Sequence, residues 1–230
     1  MKRSILNGLL FLCMPVGILV LAIMHRPPMF EGKEVVIWFN GVEASQSSPG
    51  LAAFKRMGRV AVPVLQQELK SEDVSSRVKA AWLLGQLGPV ASNAIPDLVQ
   101  SLDDPVNNLP IFALQSLATI APVQMEEDVP KLLAKLNDSN EGVINCAADL
   151  LAKIEQARKA QNLPTHADEY EYDMTFLRSS AQRVRLIGLQ RLMQLSPKDE
   201  RVVSAFKALL NDSNVMVRGQ AEFYLKNHES

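Results

Sequence analysis

The sequence predicts an all-α protein built from a tandem series of helix pairs, and two repeating patterns support this prediction. A segment with proline at its second position, Val62-Pro63-Val64-Leu65, recurs as Ile95-Pro96-Asp97-Leu98 and as Val129-Pro130-Lys131-Leu132, at offsets of 33 and 34 residues. A second segment, which pairs a small residue with a leucine four positions later, occurs five times at steps of 33, 34, 41 and 33 residues. Such periods are typical of helical-repeat proteins, whose units bury their apolar faces against one another.

The first element is a hydrophobic segment, residues 5–23, which contains no charged residue. At about 1.5 Å per residue, a helix of this length nearly spans the ~30 Å hydrocarbon core of a membrane. Lys2 and Arg3 precede the segment, and the positive-inside rule would keep that end in the cytoplasm. Residues 1–26 are therefore predicted to be a transmembrane anchor or a signal segment.

Three interpretations of this segment remain open. As an uncleaved anchor, it makes the chain a single-pass protein of the bacterial inner membrane, with its C-terminal domain in the periplasm or outside. As a signal peptide cleaved after Val20-Leu21-Ala22, it leaves a secreted or periplasmic protein. The third interpretation is a buried helix of a soluble protein. The anchor is favoured because the short polar stretch that normally precedes a cleavage site is missing.

The next element, residues 27–48, is predicted to be a lead-in or cap between the hydrophobic segment and the repeats. Within it, residues 31–39 are expected to form a helix or an extended cap with Trp38 packed on the first repeat, because the ends of a solenoid need covering. A leading half-repeat follows, and its residues match those of the first full repeat. The match is of Gly50, Phe54, Met57 and Gly58 with Ala80, Leu84, Leu87 and Gly88.

The full repeats are defined by their second helices, in which a small residue and a leucine four positions later lie on one face. These pairs are Ala80/Leu84, Ala113/Leu117, Ala147/Leu151, Gly188/Leu192 and Ala221/Leu225. Turns rich in Asp, Asn and Ser join the helices of a pair, and these residues cap the helix that follows. The step of 41 places an inserted connection near residues 156–173, with a helix starting near Tyr170. The repeat domain is predicted to span residues 49–228.

Two stretches carry a resemblance to a known family. Arg77-Val78-Lys79-Ala80-Ala81-Trp82-Leu83-Leu84 and Asp212-Ser213-Asn214-Val215-Met216-Val217-Arg218 resemble HEAT repeats of the short bacterial kind, which is also found in bilin-lyase-related proteins. The resemblance implies a right-handed α-solenoid of about five HEAT-type repeats plus a leading half. The family's Asp and Arg positions map onto Asp212 and Arg218, and more loosely onto Asp73 and Arg77. Pro110 and Ile144 stand where arginine is expected, so no continuous arginine ladder is predicted.

Composition argues against several classes of function. The chain has 24 basic and 25 acidic residues, whereas nucleic-acid binding usually needs a basic excess. Its two cysteines and three histidines show no zinc spacing. No P-loop, GxSxG, HExxH or dinucleotide fingerprint is present. We therefore predict no catalytic site, no metal, no cofactor and no nucleic-acid partner.

Five residues are candidates for contact with a partner. Trp82 and Phe112 are aromatic, and aromatic side chains dominate binding hot spots. Arg77, Arg185 and Arg218 occupy equivalent positions in three repeats and could line a surface for acidic groups. The alternative is structural for both sets, with the aromatic residues in the core and the arginines bonded within or between repeats.

These observations predict a non-catalytic scaffold for protein–protein interaction, tethered to the bacterial cytoplasmic membrane through residues 5–23 with its solenoid exported. Its partner is expected to be another protein or a peptide, because stacked helix pairs expose an extended concave surface. The alternative is a HEAT-fold enzyme or enzyme accessory of the bilin-lyase-like or DNA-glycosylase-like kind. Fold alone does not decide between these functions.

Overall fold

The computed structural model describes residues 29–30, 33–42, 49–106, 108–163, 169–194 and 199–228. The chain divides into two compact units, one ending at Val64 and the other beginning at Leu65. Short helices make up most of both units in the part of the chain that is described. The boundary falls within a helix, α3 (Val62–Glu68).

The first unit begins with a minimal hairpin of β1 (Met29–Phe30) and β2 (Lys33–Glu34), paired antiparallel. It continues directly into α1 (Val35–Asn40). Trp38 of α1 lies edge-to-face on Phe30, with ring centroids 6.2 Å apart, and its Nε1 donates a hydrogen bond to the Phe30 carbonyl oxygen at 3.3 Å. The lead-in thus contains both a helix and an extended part, and Trp38 joins them.

The leading half-repeat is α2 (Pro49–Met57), followed by a 3₁₀ turn at Gly58–Ala61. The face of α2 that carries Phe54 and Met57 is buried. Gly58 ends this helix with a positive φ of 54°, and Gly88 ends α4 (Val74–Leu87) with a φ of 63°. Glycine takes this left-handed conformation without a Cβ penalty, so the predicted match of Gly58 with Gly88 is confirmed in the backbone.

The remaining helices follow in pairs. They are α3 with α4, α5 (Ile95–Gln100) with α6 (Leu109–Ile120), α7 (Val129–Ala134) with α8 (Glu141–Ala160), α9 (Glu169–Leu177) with α10 (Gln182–Leu192), and α11 (Glu200–Leu209) with α12 (Val215–His228). Short 3₁₀ segments flank α5 and α7. The described residues therefore contain the five predicted helix pairs behind a leading half.

The second helices form a continuous row in the second unit, where α4 packs on α6, α6 on α8, α8 on α10 and α10 on α12. The predicted small residues of these helices are buried, and so are the leucines four positions after them, including Leu225 at 6% exposure. One contact shows how tight the packing is: a Cβ at Gly85 would lie 2.5 Å from Ser116 Oγ. The same hydroxyl donates to the Ala81 carbonyl oxygen at 2.7 Å. Small residues thus allow the close approach that the repeat pattern predicts.

The connection between the third and fourth repeats differs from its predicted limits of 156–173. Helix α8 continues through Ala160, because its buried face extends to Ile154 and Arg158. Helix α9 begins at Glu169, next to the predicted start at Tyr170. Residues 161–168 therefore separate the two helices, and 164–168, including His166, lie outside the described residues.

The predicted localisation, a single-pass protein of the bacterial inner membrane, is corrected by the structure. A membrane span needs about 20 predominantly apolar residues. Among the residues that the structure describes, no helix is both long and apolar enough to meet this need. The longest, α8, has 20 residues but carries charges along its length. Residues 5–23, on which the predicted anchor and its secreted alternative rest, lie outside the described residues.

We expect Gly188→Ala to destabilise the protein by about 1–2 kcal/mol, because the added methyl group overpacks a closed junction. Its Cβ would lie 2.8 Å from Phe176 Cβ and 3.1 Å from the Leu177 amide nitrogen, which cannot easily move away. Gly219→Ala on α12 is the matched control, since nothing lies within 4 Å of its Cβ. Helix propensity alone should then stabilise the protein by about 0.5–1 kcal/mol. Urea unfolding followed by circular dichroism measures both changes, and equal effects would contradict the packing described.

Candidate functional site: the edge of the inter-helix turns

The turns that join the helices of each pair lie next to one another and form a continuous edge of the second unit. We call this surface the turn edge, defined as residues 69–73, 101–106, 135–140, 178–181 and 210–214. Direct contacts link each of these turns to the next. They are Arg77 with Asp104, Lys135 with Asp103, the Ser179 hydroxyl with the Leu136 carbonyl, and Arg185 with Asp212.

Arg77 connects the first two turns. Its Nη1 donates to the carbonyl oxygens of Ser71 at 2.9 Å and Glu72 at 3.1 Å, which fixes the guanidinium against its own turn. Its Nε lies 3.0 Å from Asp104 Oδ2, and Nη2 donates to Oδ1 at 3.4 Å. The carboxylate partner of Arg77 is therefore Asp104 of the next repeat. Asp73, which the family pattern suggested, instead caps α4 by accepting from the Ser76 amide at 2.8 Å.

Arg185 repeats this arrangement between the fourth and fifth turns. Its Nη1 donates to the carbonyl oxygens of Ser179 and Ser180, while Nε and Nη2 contact the two oxygens of Asp212 at 2.8 and 3.0 Å. Both side chains are largely buried, 11% and 8% exposed. Burial acts to raise the pKa of Asp212, but the hydrogen bonds from Arg185 and the Asn214 amide, with the charges of Arg185 and Arg218, together outweigh it and leave that pKa below its ordinary value.

Arg218 makes the same contacts with its own turn as Arg77 and Arg185, but not their contact with a carboxylate. Its Nη1 donates to the carbonyl oxygens of Asp212 at 2.7 Å and Ser213 at 3.1 Å. Among the described residues, no carboxylate forms an ion pair with its Nε or Nη2, the atoms that hold Asp104 and Asp212 in the other two repeats. The guanidinium is thus oriented by its own turn but has no partner beyond it in the described chain.

The middle of the turn edge lacks such arginines, as the sequence indicates from Pro110 and Ile144. Asp138 occupies the position of Asp104 and Asp212, but its nearest cation is Lys135 Nζ at 3.7 Å. In the next turn the equivalent residue is Ser179, whose hydroxyl donates to the Leu136 carbonyl oxygen at 2.7 Å. An aspartate thus accompanies an arginine of the preceding repeat at two junctions, and the other two junctions use different contacts.

A groove of about 860 Å³ opens between the first and second turns. Nine of its eleven lining residues are polar or charged, and the lining comprises Leu69, Lys70, Ser71, Glu72, Arg77, Asp97, Gln100, Ser101, Asp103, Asp104 and Pro105. Four carboxylates face two cations in this set. Lys70 pairs with Asp97 at 2.8 Å, and Arg77 pairs with Asp104, so two of the carboxylates are neutralised inside the groove.

The other two carboxylates, Glu72 and Asp103, are exposed at the groove. Asp103 receives Lys131 Nζ at 2.7 Å and Lys135 Nζ at 3.2 Å from the third repeat. The hydrogen bond from Lys131, reinforced by Lys135, holds the pKa of Asp103 below its ordinary value, so this carboxylate is ionised at neutral pH. The negative charge of Asp103 is offset by these two lysines, so the uncompensated negative charge at the rim is that of Glu72.

The predicted aromatic candidates lie elsewhere. Trp82 and Phe112 are half-buried on α4 and α6, two second helices that pack together. Trp82 and Arg77 are five residues apart on α4, which places them about 140° apart around the helix axis. The five predicted contact residues therefore fall into two groups: the three arginines contact the turn edge, and Trp82 and Phe112 lie elsewhere on the second helices. Their contact with a partner stays a prediction.

One polar cluster has no counterpart in the predicted site residues. Arg191 Nε lies 2.5 Å from Asp173 Oδ1, and its Nη1 donates to Glu155, which also receives Lys159 at 3.2 Å. The guanidinium carbon lies 5.1 Å from the centroid of the Tyr172 ring. This cluster joins α8, α9 and α10 at the junction where the repeat lengthens. Its signal in the sequence was the acidic, tyrosine-bearing run at 168–173.

No set of three His, Cys, Asp or Glu side chains in the part of the chain that the structure describes could hold a metal ion. The arrangement shown at the turn edge is one of fixed charges, hydrogen-bonded cations and an open groove.

No family model and no curated protein match the chain. Among solved structures, it is similar to a designed armadillo repeat protein in complex with the peptide (KR)4, with a TM-score of 0.51 and 16% identity over 84% of this chain and 99% of that one. An engineered protein matches with a TM-score of 0.49 and 19% identity over 85% and 96% of the two chains. The CpcE–CpcF complex of the phycocyanin lyase of Nostoc sp. matches with a TM-score of 0.45 and 20% identity over 87% and 80%. The likeness to the armadillo repeat protein shows that the chain has a HEAT- or armadillo-like repeat fold.

Proposed function

We propose that the second unit is a non-catalytic binding module that holds a segment of another protein or a peptide along the turn edge. The observation that carries this proposal is the groove of about 860 Å³ on an edge whose turns are fixed to one another. Rigid walls matter because a preorganised surface loses little conformational entropy on binding. A helical-repeat fold also offers extended surface without a deep pocket.

The charge of the groove points to a basic ligand. Glu72 leaves negative charge at its rim, Asp103 is paired with Lys131 and Lys135, and the two cations of the lining are engaged with carboxylates. Complementary charge speeds encounter and selects among partners. The similar designed protein holds a peptide of alternating lysine and arginine, which makes this peptide a reasonable probe for the present chain. In this proposal Arg77 shapes the wall of the groove, and Trp82 and Phe112, which lie outside its lining, take no part in binding the segment.

The test is fluorescence polarisation of labelled (KR)4 with the full chain at low salt, using an acidic peptide of equal length as the negative probe. Glu72→Lys should weaken binding of (KR)4 about three- to tenfold, since it reverses one rim charge. Glu127→Lys, an exposed substitution outside the groove lining, is the matched control and should change affinity by less than about twofold.

Three results would contradict the proposal. The first is binding of the acidic peptide as strongly as (KR)4, which would show that the rim charge selects nothing. The second is turnover of a free bilin or of damaged duplex DNA by the purified chain, which would favour the HEAT-fold enzyme over the binding module. Equal affinities of Glu72→Lys and Glu127→Lys for (KR)4 would place any peptide site away from this groove.

A further inference from the structure

The last helix, α12, exposes an apolar face. Val215, Met216 and Phe223 are 66%, 57% and 65% exposed, well above the other large apolar side chains of the second unit. The same face carries Gly219, Glu222 and Lys226, with Glu222 and Lys226 paired at 2.9 Å in an exposed ion pair. We call these six residues the α12 face. Such a grouping of exposed apolar residues on one helix is typical of an interaction surface.

In two other repeats, the residue equivalent to Phe223 contacts the neighbouring second helix. The equivalent residue on α6 is Gln115, whose amide lies 3.8 Å from Cys146 Sγ on α8. On α8 it is Asp149, which pairs with Arg183 of α10 at 2.9 Å. In both repeats this position contacts the next second helix. Phe223 therefore stands at a position built for contact with another helix, and none covers it among the described residues.

The neighbouring register position argues against another repeat that simply continues the row. Ala81, Leu114, Ala148 and Leu189 occupy it in the four preceding repeats, and all are buried. In the last repeat it is Glu222. Stacking a sixth pair in the same geometry would bury a carboxylate beside Lys226, which costs more than an exposed ion pair contributes. A partner helix must therefore leave Glu222 with a cation.

Arg218 defines the chemistry that this face requires. Its Nη1 is fixed by two carbonyl oxygens, while Nε and Nη2 are the atoms that hold a carboxylate at Arg77 and Arg185. The missing partner is thus a carboxylate, which in the other two repeats comes from the turn of the next repeat. The α12 face of a second copy offers a carboxylate beside apolar side chains, because it carries Glu222 next to Phe223.

We propose that two copies of this chain associate through their α12 faces, with the two helices antiparallel about a two-fold axis near Gly219. In an antiparallel pair, a residue of one copy lies opposite a residue of the other copy when their numbers add up to about 440. Arg218 of each copy then meets Glu222 of the other, and Met216 packs on Phe223 of the other. Both contacts occur twice by symmetry. Nothing lies within 4 Å of the position of a Gly219 Cβ, so the helix backbones can approach closely at the crossing.

The contact is small and the association is weak. A helix of 14 residues is about 21 Å long, so each copy buries much less than the ~800 Å² of a standard interface. The dissociation constant is expected to be on the order of 100 µM. This surface differs from the turn-edge groove, so its failure would leave the proposed peptide binding untouched.

The experiment uses the full chain in a non-ionic detergent, with sedimentation velocity over a concentration series. A photo-crosslinking phenylalanine analogue at position 223 reports whether that residue contacts a second copy. Arg218→Glu and Glu222→Arg should each weaken self-association at least about tenfold by placing like charges opposite one another. Lys153→Glu on α8, an exposed charge reversal away from this face, should leave it unchanged.

Mixing the two single variants separates this interface from a folding defect. In the mixture each copy supplies the charge that the other lacks, so association and cross-linking should return to within about threefold of the unmodified chain. The double variant R218E/E222R should also self-associate. Failure of both to recover, or self-association that neither single variant weakens, overturns the proposal.

Discussion

Arg191→Met should lower the free energy of unfolding by about 3–5 kcal/mol, because it leaves buried carboxylates without their shared cation. Asp173 is 3% exposed and Glu155 is 13% exposed, and Arg191 contacts both. Methionine has a similar length and removes the charge with little change in volume. Equilibrium unfolding in urea, monitored by circular dichroism, measures the loss.

Arg183→Met on the same helix is the matched control for this prediction. Arg183 pairs with Asp149 at 2.9 Å, but both side chains are more than half exposed, so the cost should be below about 1 kcal/mol. Equal losses in the two variants would show that burial of the Arg191 cluster does not determine its contribution.

The pH dependence of the Arg191 variant supplies an independent readout. Burial acts to raise the pKa of Glu155, but the hydrogen bonds and positive charges of Arg191 and Lys159 together outweigh it and leave the folded-state pKa below the ordinary value of 4.5. A lowered folded-state pKa contributes stability that is present above pH 4.5 and is lost as the pH falls through the folded-state pKa. The stability difference between the unmodified chain and Arg191→Met should therefore shrink in this acidic range.

Arg185→Ala is expected to cost about 3–4 kcal/mol, since Asp212 would remain buried without its bidentate partner. Arg218→Ala removes an arginine at the equivalent position of the next repeat. It loses two hydrogen bonds to carbonyl oxygens but leaves no carboxylate behind, so its cost should be about 1 kcal/mol. Urea midpoints measure this difference of about 2–3 kcal/mol.

A double-mutant cycle completes this comparison. If the buried charge causes the loss, Asp212→Ala should recover part of the stability lost in Arg185→Ala, because it removes the uncompensated carboxylate. Additive losses in the double variant would contradict this cause and would assign the cost to packing of the arginine side chain.

The repeat organisation was predictable because packing imposes a local rule on every unit. A second helix needs a small residue where its neighbour approaches, and Ala80, Ala113 and Ala147 meet this need at nearly constant spacing. Gly188 fits the series for the same reason, since a Cβ there would lie 2.8 Å from Phe176 Cβ. The number of helix pairs and the position of the insertion follow from this spacing. The handedness of the solenoid stays a prediction.

The polar contacts were harder to predict because they depend on pairs of residues rather than on single positions. Arg77 and Asp104 are 27 residues apart, as are Arg185 and Asp212, and this shared separation is a signal in the sequence. Arg191 has no such regularity, because its partners Asp173 and Glu155 are 18 and 36 residues away across the longer connection. The groove at the first two turns depends on how these turns sit together, which no single repeat encodes.

The unequal links along the turn edge have a mechanical consequence. When a repeat array is bent, the junctions with the weakest contacts deform most, because each repeat contacts only its neighbours. Largely buried Arg–Asp ion pairs stiffen the edge between the first and second repeats and between the fourth and fifth. Lysine contacts to an exposed carboxylate and a hydroxyl hydrogen bond hold the two junctions between them. Bending along this edge should therefore concentrate around the third repeat, while the walls of the groove at the first two turns and the base of the α12 face keep their shape.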